Sequence, residues 1–229
     1  MNVAVVDQSP PAGVVTDLYV RTKTLHLEAE RSGIVNDILR GQASREGYTL
    51  FLRNLLPAYH ALESALERLS DSLILSALSN YKLDRAPAIE KDLLALSGPD
   101  WANQIPLLPE GKSYQQRIAL AAGEDDGERL IAHAYTRYLG DLSGGLIMKR
   151  LLARSLALSQ EQLAFYDFAG FSDLAALKRD YRSALDRAGA AASIPAAIVE
   201  EGAIAFALNI DLSLAVQRSL QKSAVGAQQ

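Results

Sequence analysis

Residues 135–145 carry the sequence Tyr-Thr-Arg-Tyr-Leu-Gly-Asp-Leu-Ser-Gly-Gly, between two long stretches with the apolar spacing of helices. Three of these residues are the glycines Gly140, Gly144 and Gly145. A glycine inside a helix costs about 1 kcal/mol relative to alanine, so three of them need a reason. Gly140 and Gly144 are four residues apart and share one helix face, which they leave without side chains. A flat ligand could lie against this bare backbone, with Asp141 beside it.

The same stretch also fits a plain turn between two helices, because Gly, Asp and Ser are ordinary turn residues. If it is helical, Arg137 lies one turn before Asp141, so its guanidinium could hold that carboxylate. Local chemistry leaves both interpretations open.

The composition is that of a globular protein, with 229 residues, 49% of them hydrophobic, and a net charge of −4. No composition shift divides the chain, which favours one domain over residues 15–222, between a flexible arm at 1–14 and a tail at 223–229. The lack of cysteine excludes disulfides, iron–sulfur clusters and thiolate nucleophiles. The acidic charge, without a basic block, argues against nucleic-acid binding.

Neither a signal peptide nor an apolar run of membrane-spanning length is seen in the sequence, so we expect a cytoplasmic protein without a membrane anchor. Helical apolar spacing dominates, and the sequence predicts an all-α fold of eight or nine helices. The predicted helices begin at Asp17 after a Thr16 cap, at Ser44 (with a kink at Pro57), at a Ser113 cap, and at Pro195; a long central helix is predicted over Leu130–Leu158.

The chain has three histidines, of which His26 has a carboxylate, Glu30, four residues on. A metal-ligating histidine usually hydrogen-bonds its second ring nitrogen to such a group. The alternative is an ordinary surface pair on a helix. His60 and His133 have no partner at metal-ligand spacing, so a site built from several protein ligands is disfavoured. A single histidine could still be the axial ligand of a heme.

Lys178 and Arg182 place two cations on one helix face and could hold carboxylates of a ligand. The alternative is a solvated basic stripe without a ligand.

The glycine stretch, His26 and this cationic pair together resemble the site residues of a known protein family. The segment from Ala132 to Gly145 resembles the signature of the biliverdin-producing heme oxygenases, of the soluble bacterial or cyanobacterial type. The resemblance covers roughly residues 16–215.

The resemblance implies a helical bundle that holds heme b between a proximal helix and a kinked, glycine-rich distal helix. It implies that His26 ligates the iron, and that Gly140 and Gly144 bring the distal backbone against the heme. Asp141 is expected to position the water that decides between ring hydroxylation and O–O cleavage. The other implied site residues are Arg137, Thr136 and Tyr59 on the distal side; Tyr19, Lys23, Tyr135, Lys178 and Arg182 at the propionates; and Glu30, Gly145, Phe206 and Asn209 around the pocket.

One position departs from the family pattern. The family usually has a basic residue seven positions before the proximal histidine, and here that position is Tyr19. A tyrosine can still donate a hydrogen bond to a propionate, but a weaker one. The resemblance implies opening at the α-meso carbon, with a weaker donor to the propionate at this position.

The activity implied is the conversion of heme and O2 to biliverdin, ferrous iron and CO with electrons from an external donor. No flavin or nucleotide motif is visible, so a redox partner such as a ferredoxin, a flavodoxin or an NADPH-dependent reductase is implied. Lys149, Arg150 and Arg154 are candidates for its docking patch, or else an ordinary solvated face. The resemblance also suggests a monomer. The alternatives are a heme-binding protein without turnover and a non-heme enzyme on the same architecture, such as the thiaminase-like proteins.

Overall fold

A computed structural model describes residues 13–168 and 170–226, and within them all regular structure is helical. The α-helices are α1 (Val14–Glu30), α2 (Gly33–Leu39), α3 (Arg45–Arg68), α4 (Ser76–Ser79), α5 (Ala86–Ser97), α6 (Trp101–Gln104), α7 (Pro109–Ala121), α8 (Leu130–Ala134), α9 (Gly140–Leu156), α10 (Leu174–Ala191) and α11 (Pro195–Gly226). Short 3-10 turns lie at Asp125–Gly127, Gln160–Gln162 and Ala164–Tyr166. The all-α fold class predicted from the sequence is confirmed.

The core forms around α3, which packs against α5 and α7. The predicted start of α3 is confirmed, because the Ser44 hydroxyl caps it by accepting a hydrogen bond from the Gly47 N–H at 3.0 Å. The helix then continues through Pro57 without a break. The first and last helices, α1 and α11, lie against each other and close the bundle.

The glycine stretch is helical and not a turn. Residues 130–156 form one continuous run, here called the central helix, in which a π-helical segment at Tyr135–Leu139 joins α8 to α9. The central helix was predicted correctly to within two residues at its end, where Ala157 adopts left-handed backbone angles. The π segment was not predicted. Single π turns occur mostly inside α-helices and frequently at functional sites.

Two helix starts were predicted wrongly. Helix α1 begins at Val14 rather than Asp17, since Val14 and Val15 are buried and the Val15 N–H donates to Asp186 Oδ1 at 2.9 Å. Helix α7 begins at Pro109 rather than after Ser113, because proline fits the first helical position, where its missing N–H has no partner to lose.

The division into an arm at 1–14, a domain at 15–222 and a tail at 223–229 stays a prediction at its outer edges. Residues 1–12 and 227–229 lie outside the described residues, while Val14 already belongs to α1 and α11 runs past residue 222. No helix in the described part of the chain combines the length and apolarity needed to cross a membrane.

Gly33 allows α2 to pack against the backbone of α11. Its φ is +57°, and a Cβ added there would lie 2.3 Å from the carbonyl carbon of Ser213. We predict that Gly33→Ala lowers the free energy of unfolding by about 3 kcal/mol or more, because two backbones would have to separate. Urea denaturation measures this difference.

Gly41→Ala is the matched control. Gly41 also has a positive φ, of +68°, but an added Cβ would make only an ordinary contact of 3.7 Å. The Gly41→Ala variant should lower the free energy of unfolding by only about 1–2 kcal/mol, which is the cost of left-handed backbone angles for a residue with a Cβ. Equal losses in the two variants would show that the close approach of α11 is not what requires Gly33.

Candidate functional site

A cleft of about 620 Å³ opens between α1, the central helix, α10 and one residue of α11. Its size is within the usual range of ligand pockets. Eleven of the sixteen residues predicted for the site line it: Tyr19, Lys23, His26, Glu30, Tyr135, Thr136, Gly140, Gly144, Lys178, Arg182 and Phe206. Residues far apart in sequence are therefore brought to one cavity.

One wall of the cleft is bare helix backbone. Apart from its own helix backbone, a Cβ added at Gly140 or Gly144 would meet no atom of the described residues within 4 Å, so the space in front of both glycines is open. Ser143 and Ile147 line the cleft from the same face. They had not been predicted, although their spacing of three and seven residues from Gly140 is the helical signal that could have found them.

His26 enters the cleft from α1. Its Nδ1 lies 3.5 Å from Glu30 Oε1, and its side chain is 55% exposed. The Phe206 ring of α11 lies 5.7 Å from the imidazole, centroid to centroid, and limits its position from the other side. A carboxylate thus lies beside one imidazole nitrogen, the position from which such a group usually supports a metal-ligating histidine.

The cleft carries positive charge from two helices. Lys23 on α1 and Lys178 and Arg182 on α10 line it, and among residues 13–168 and 170–226 none of the three forms an ion pair. Arg21 is not part of this set, since both its Nε and its Nη2 donate to Glu200 at 2.9 Å. Three cations that line one cavity and have no carboxylate partner in the described part of the chain are suited to an anionic ligand.

Behind the bare wall lies a buried polar network. The Tyr59 hydroxyl of α3 donates to Asp141 Oδ2 at 2.6 Å. Arg137 Nη1 donates to Asn209 Oδ1 of α11 at 3.1 Å. The Arg137 guanidinium, 9% exposed as a residue, lies 5.7 Å from the Tyr59 ring and 6.0 Å from the Tyr114 ring. Three helices are joined through these groups to the back of the central helix.

Asp141 has an unusual protonation equilibrium. Burial raises its pKa to about 6, although the Arg137 charge and the Tyr59 hydrogen bond act in the opposite direction. A carboxyl group with this pKa exchanges its proton close to neutral pH, which is the property required of a group that holds and releases protons.

Two further polar atoms of the network lack a protein partner. Within the part of the chain that the structure describes, neither the Tyr114 hydroxyl nor Arg137 Nε forms a hydrogen bond. Buried groups of this kind are usually satisfied by ordered water. These two atoms are therefore candidates for hydrogen bonds to water.

The prediction that the Arg137 guanidinium holds the Asp141 carboxylate by direct contact was wrong. Arg137 is bonded to Asn209 and not ion-paired with Asp141, whose hydrogen bond comes from Tyr59. Spacing of four residues brings side chains together in an α-helix, but Arg137 lies in the π segment, where the turn is longer. The influence of Arg137 on Asp141 is therefore that of a nearby charge.

Some predicted site residues do not line the cleft. Asp141, Arg137, Tyr59 and Asn209 belong to the network behind it. Gly145 was predicted to adjoin the ligand, but it faces away from the cleft, and an added Cβ would lie 3.4 Å from the Tyr166 ring. Its small size serves packing against the 3-10 turn Ala164–Tyr166.

The two other histidines lie elsewhere. His60 contacts Glu90 at 3.1 Å on the surface between α3 and α5. His133 is fully buried and contacts Glu201 Oε1 of α11 at 2.9 Å. Glu201 also accepts from Arg117 Nε of α7 at 2.8 Å. This second buried network anchors the first turns of the central helix, and no sequence spacing pointed to it.

Comparison with known proteins places the chain among relatives along nearly its whole length. The family model described as "Heme oxygenase" matches residues 13–215. Heme oxygenase 1 of Nostoc sp. is 36% identical over 213 residues, which cover 93% of this chain and 89% of that protein. Heme oxygenase 1 of Homo sapiens is 35% identical over 215 residues, covering 93% of this chain and 74% of the human protein.

Solved structures give the same result. The heme oxygenase-1 from the cyanobacterium Synechocystis sp., crystallised in complex with heme, is similar with a TM-score of 0.85 and 32% identity, covering 95% of this chain and 97% of that one. The heme oxygenase from Leptospira interrogans is similar with a TM-score of 0.83 and 31% identity, covering 89% of this chain and 99% of that one.

The Tyr59–Asp141 hydrogen bond leads to a prediction about protonation. In Tyr59→Phe the Asp141 carboxylate loses a donor that stabilises its ionised form, so its pKa should rise above the present value of about 6. Carbon-13 NMR titration of aspartate-labelled protein measures this. Tyr114→Phe removes a buried hydroxyl that is not bonded to Asp141 and should shift the pKa less. A pKa that is unchanged in Tyr59→Phe would contradict the assigned bond.

Proposed function

Because the chain belongs to the heme oxygenase family, whose members degrade heme oxidatively, we propose that this cleft is where the protein binds heme and opens its ring. The products would be biliverdin, ferrous iron and CO, formed from heme and O2. The observation that carries the proposal is the arrangement of three features in one cavity: a bare helix face, a histidine beside a carboxylate and a set of three cations.

The residues of the cleft fit heme in shape and in charge. A planar macrocycle can approach the central helix closely, since no side chain projects from Gly140 or Gly144. His26 would ligate the iron through Nε2, with Glu30 orienting the ring through Nδ1. Bound heme supplies the iron at which oxygen is activated. Lys23, Lys178 and Arg182 would hold the two propionates, with Tyr19 and Tyr135 as weaker donors beside them.

The network behind the bare wall would control protons. Tyr59 holds the Asp141 carboxyl in a fixed position, and Arg137 adds positive charge without bonding to it. Asp141 can then orient a water molecule and exchange a proton with it near neutral pH. Arg137 is fixed in turn by Asn209, and Tyr114 offers a further hydroxyl for water. Asp141 lies behind the cleft wall and would therefore act through water.

The propionate end of the cleft would set the position of ring opening, because it fixes the rotation of the macrocycle against the central helix. With Lys23, Lys178 and Arg182 in place, we propose opening at the α-meso carbon. Tyr19 is 56% exposed at the mouth of the cleft and can contribute a neutral hydrogen bond there.

Electrons would come from a separate donor, a ferredoxin, a flavodoxin or an NADPH-dependent reductase. Of the proposed docking residues, Lys149 is bonded to Asp167, which neutralises its charge. Arg150 and Arg154 are exposed on α9, and among the described residues neither forms an ion pair. The docking patch therefore consists of these two arginines. A monomer and a cytoplasmic location stay predictions.

The experiment that tests the proposed function is optical. Hemin added to the protein should give the Soret band of a histidine-ligated heme, and ascorbate or reduced ferredoxin in air should convert that band to the absorption of biliverdin. His26→Ala should lose the histidine-type spectrum. A protein that binds no hemin, or binds it without any bilin formation under both reductants, would overturn the proposal.

Asp141→Ala separates binding from turnover. Asp141 lies behind the cleft wall, so hemin affinity should change little, while biliverdin formation should fall about 100-fold or more, the usual contribution of a proton-transfer group. Hemin titration and single-turnover spectra measure the two effects. Asp211→Ala removes an exposed carboxylate of α11 and is the matched control. Turnover at the native rate in Asp141→Ala would mean that another group handles the proton.

Charge reversal tests the docking patch. Arg150→Glu with Arg154→Glu should raise the KM for the protein donor about tenfold, because two favourable charges become repulsive. Turnover driven by ascorbate should stay unchanged, since this small reductant needs no docking surface. Arg68→Glu, an exposed reversal at the end of α3, is the control. If the protein donor reduces the double variant as well as the native protein, its docking site lies elsewhere.

A further inference from the structure

The cations that line the cleft are distributed unequally between its two edges. Helix α10 contributes Lys178 and Arg182, whereas α1 contributes only Lys23. All three side chains are exposed, and within residues 13–168 and 170–226 none of them pairs with a carboxylate. An anionic ligand in the cleft therefore meets two positive charges along one edge and a single charge along the other.

The α1 edge has no second cation to offer. Helix α1 contains one other arginine or lysine, Arg21, and its guanidinium donates twice to Glu200 of α11, at 2.9 Å from both Nε and Nη2. One turn before Lys23, the residue that lines the cleft is Tyr19, whose hydroxyl is uncharged. A neutral donor binds a carboxylate more weakly than a charged donor does. The α1 edge thus offers one charge and one weak donor.

The α10 edge suits a single carboxylate. Lys178 and Arg182 are four residues apart in one α-helix, so their side chains are neighbours on one face and one carboxylate can contact both. Tyr135 of the π segment does not change the comparison. Burial raises the pKa of Tyr135, the nearby Arg182 charge lowers it and nearby Tyr19 raises it, so this hydroxyl lies close to both edges. The difference between the edges is therefore one of charge.

The chemistry of heme makes this difference measurable. Its two propionates are neighbours on one side of the macrocycle, one on each side of the same meso carbon. Turning the macrocycle over exchanges their positions. A heme with only one free carboxylate can therefore place that group at either edge of the cleft, whichever propionate has been blocked. It should choose the edge that carries more positive charge, because the Coulomb attraction is greater there.

We propose that Lys178 and Arg182 form the primary carboxylate seat of the cleft, and that Lys23 and Tyr19 form a weaker, secondary seat. One carboxylate in the primary seat then provides most of the electrostatic binding, and the second adds little. Hemes with a single free carboxylate are therefore ligands and substrates of this protein as well. This inference rests on the proposed function, since it concerns how the same cleft selects its substrate.

Absorbance titration of the full chain with hemin and with hemin monomethyl ester tests the substrate range. The ester has one free carboxylate and one that is blocked. The native protein should bind the ester only about fivefold more weakly than hemin, the effect of losing one exposed charge contact. Ascorbate in air should then open the ring of the bound ester as it opens that of heme, which absorption spectra of the product measure.

Charge changes at the two seats identify which one holds the carboxylate of the ester. Lys23→Gln should weaken hemin binding about fivefold and leave ester binding unchanged, because the ester does not occupy the secondary seat. Arg182→Gln should weaken both ligands alike, about tenfold, because both use the primary seat. Tyr19→Lys gives the secondary seat a second charge, so it should strengthen the binding of hemin more than that of the ester.

Arg179→Gln is the matched control, because it removes an exposed cation of α10 that does not line the cleft, and both affinities should stay native. The native thermal midpoint in every variant shows that the fold is intact. The inference is overturned if Lys23→Gln weakens the ester as much as hemin, or if Arg182→Gln leaves ester binding native. A native protein that binds and opens hemin but not the ester would also overturn it, whereas a failure to bind hemin at all would overturn the proposed function itself.

Discussion

A helix whose cleft-facing side lacks side chains must be held in place by contacts on its other faces. In this structure, contacts from several other elements hold the central helix in that way. Gly140 and Gly144 offer no side chains with which α9 could pack toward the cleft. The central helix is instead fixed by its other faces. Tyr59 holds Asp141, Asn209 holds Arg137, and the glycine that follows the bare pair packs on Tyr166. The side chains that fix the helix thus come from α3, from α11 and from a 3-10 turn.

The beginning of the central helix is fixed by charge rather than by packing alone. Glu201 is fully buried. Burial raises its pKa, but hydrogen bonds to His133 and Arg117 outweigh this and bring it down to about 2. Asp141 differs, because its single donor leaves its pKa at about 6. Two buried carboxylates in one protein thus serve different ends: one stays charged and joins helices, and the other can gain and lose a proton near neutral pH.

Site residues could be predicted from the sequence where the pattern that identifies them lies within one helix. The glycine pair, the His26–Glu30 pair and the Lys178–Arg182 pair could all be read from spacing, and the structure brings all three to one cleft. It failed where partners come from distant elements. Nothing near His133 points to Glu201, 68 residues away, and nothing near Asp141 points to the Tyr59 hydroxyl as its hydrogen-bond donor. Only the resemblance to a known family had linked Tyr59 to the distal side.

The error at Arg137 has a different origin, since that residue lies in the same helix as Asp141. The assumed period of 3.6 residues does not hold across Tyr135–Leu139. A π turn accommodates one residue more than an α turn, which shifts the angular phase of everything after it by about 100° relative to a regular helix. Before the π segment, the helix face that carries His133 is directed at Glu201. After the segment, the face that carries Gly140 and Gly144 is directed at the cleft. The extra residue thus lets one helix satisfy two orientations that a uniform helix of the same length could not satisfy together.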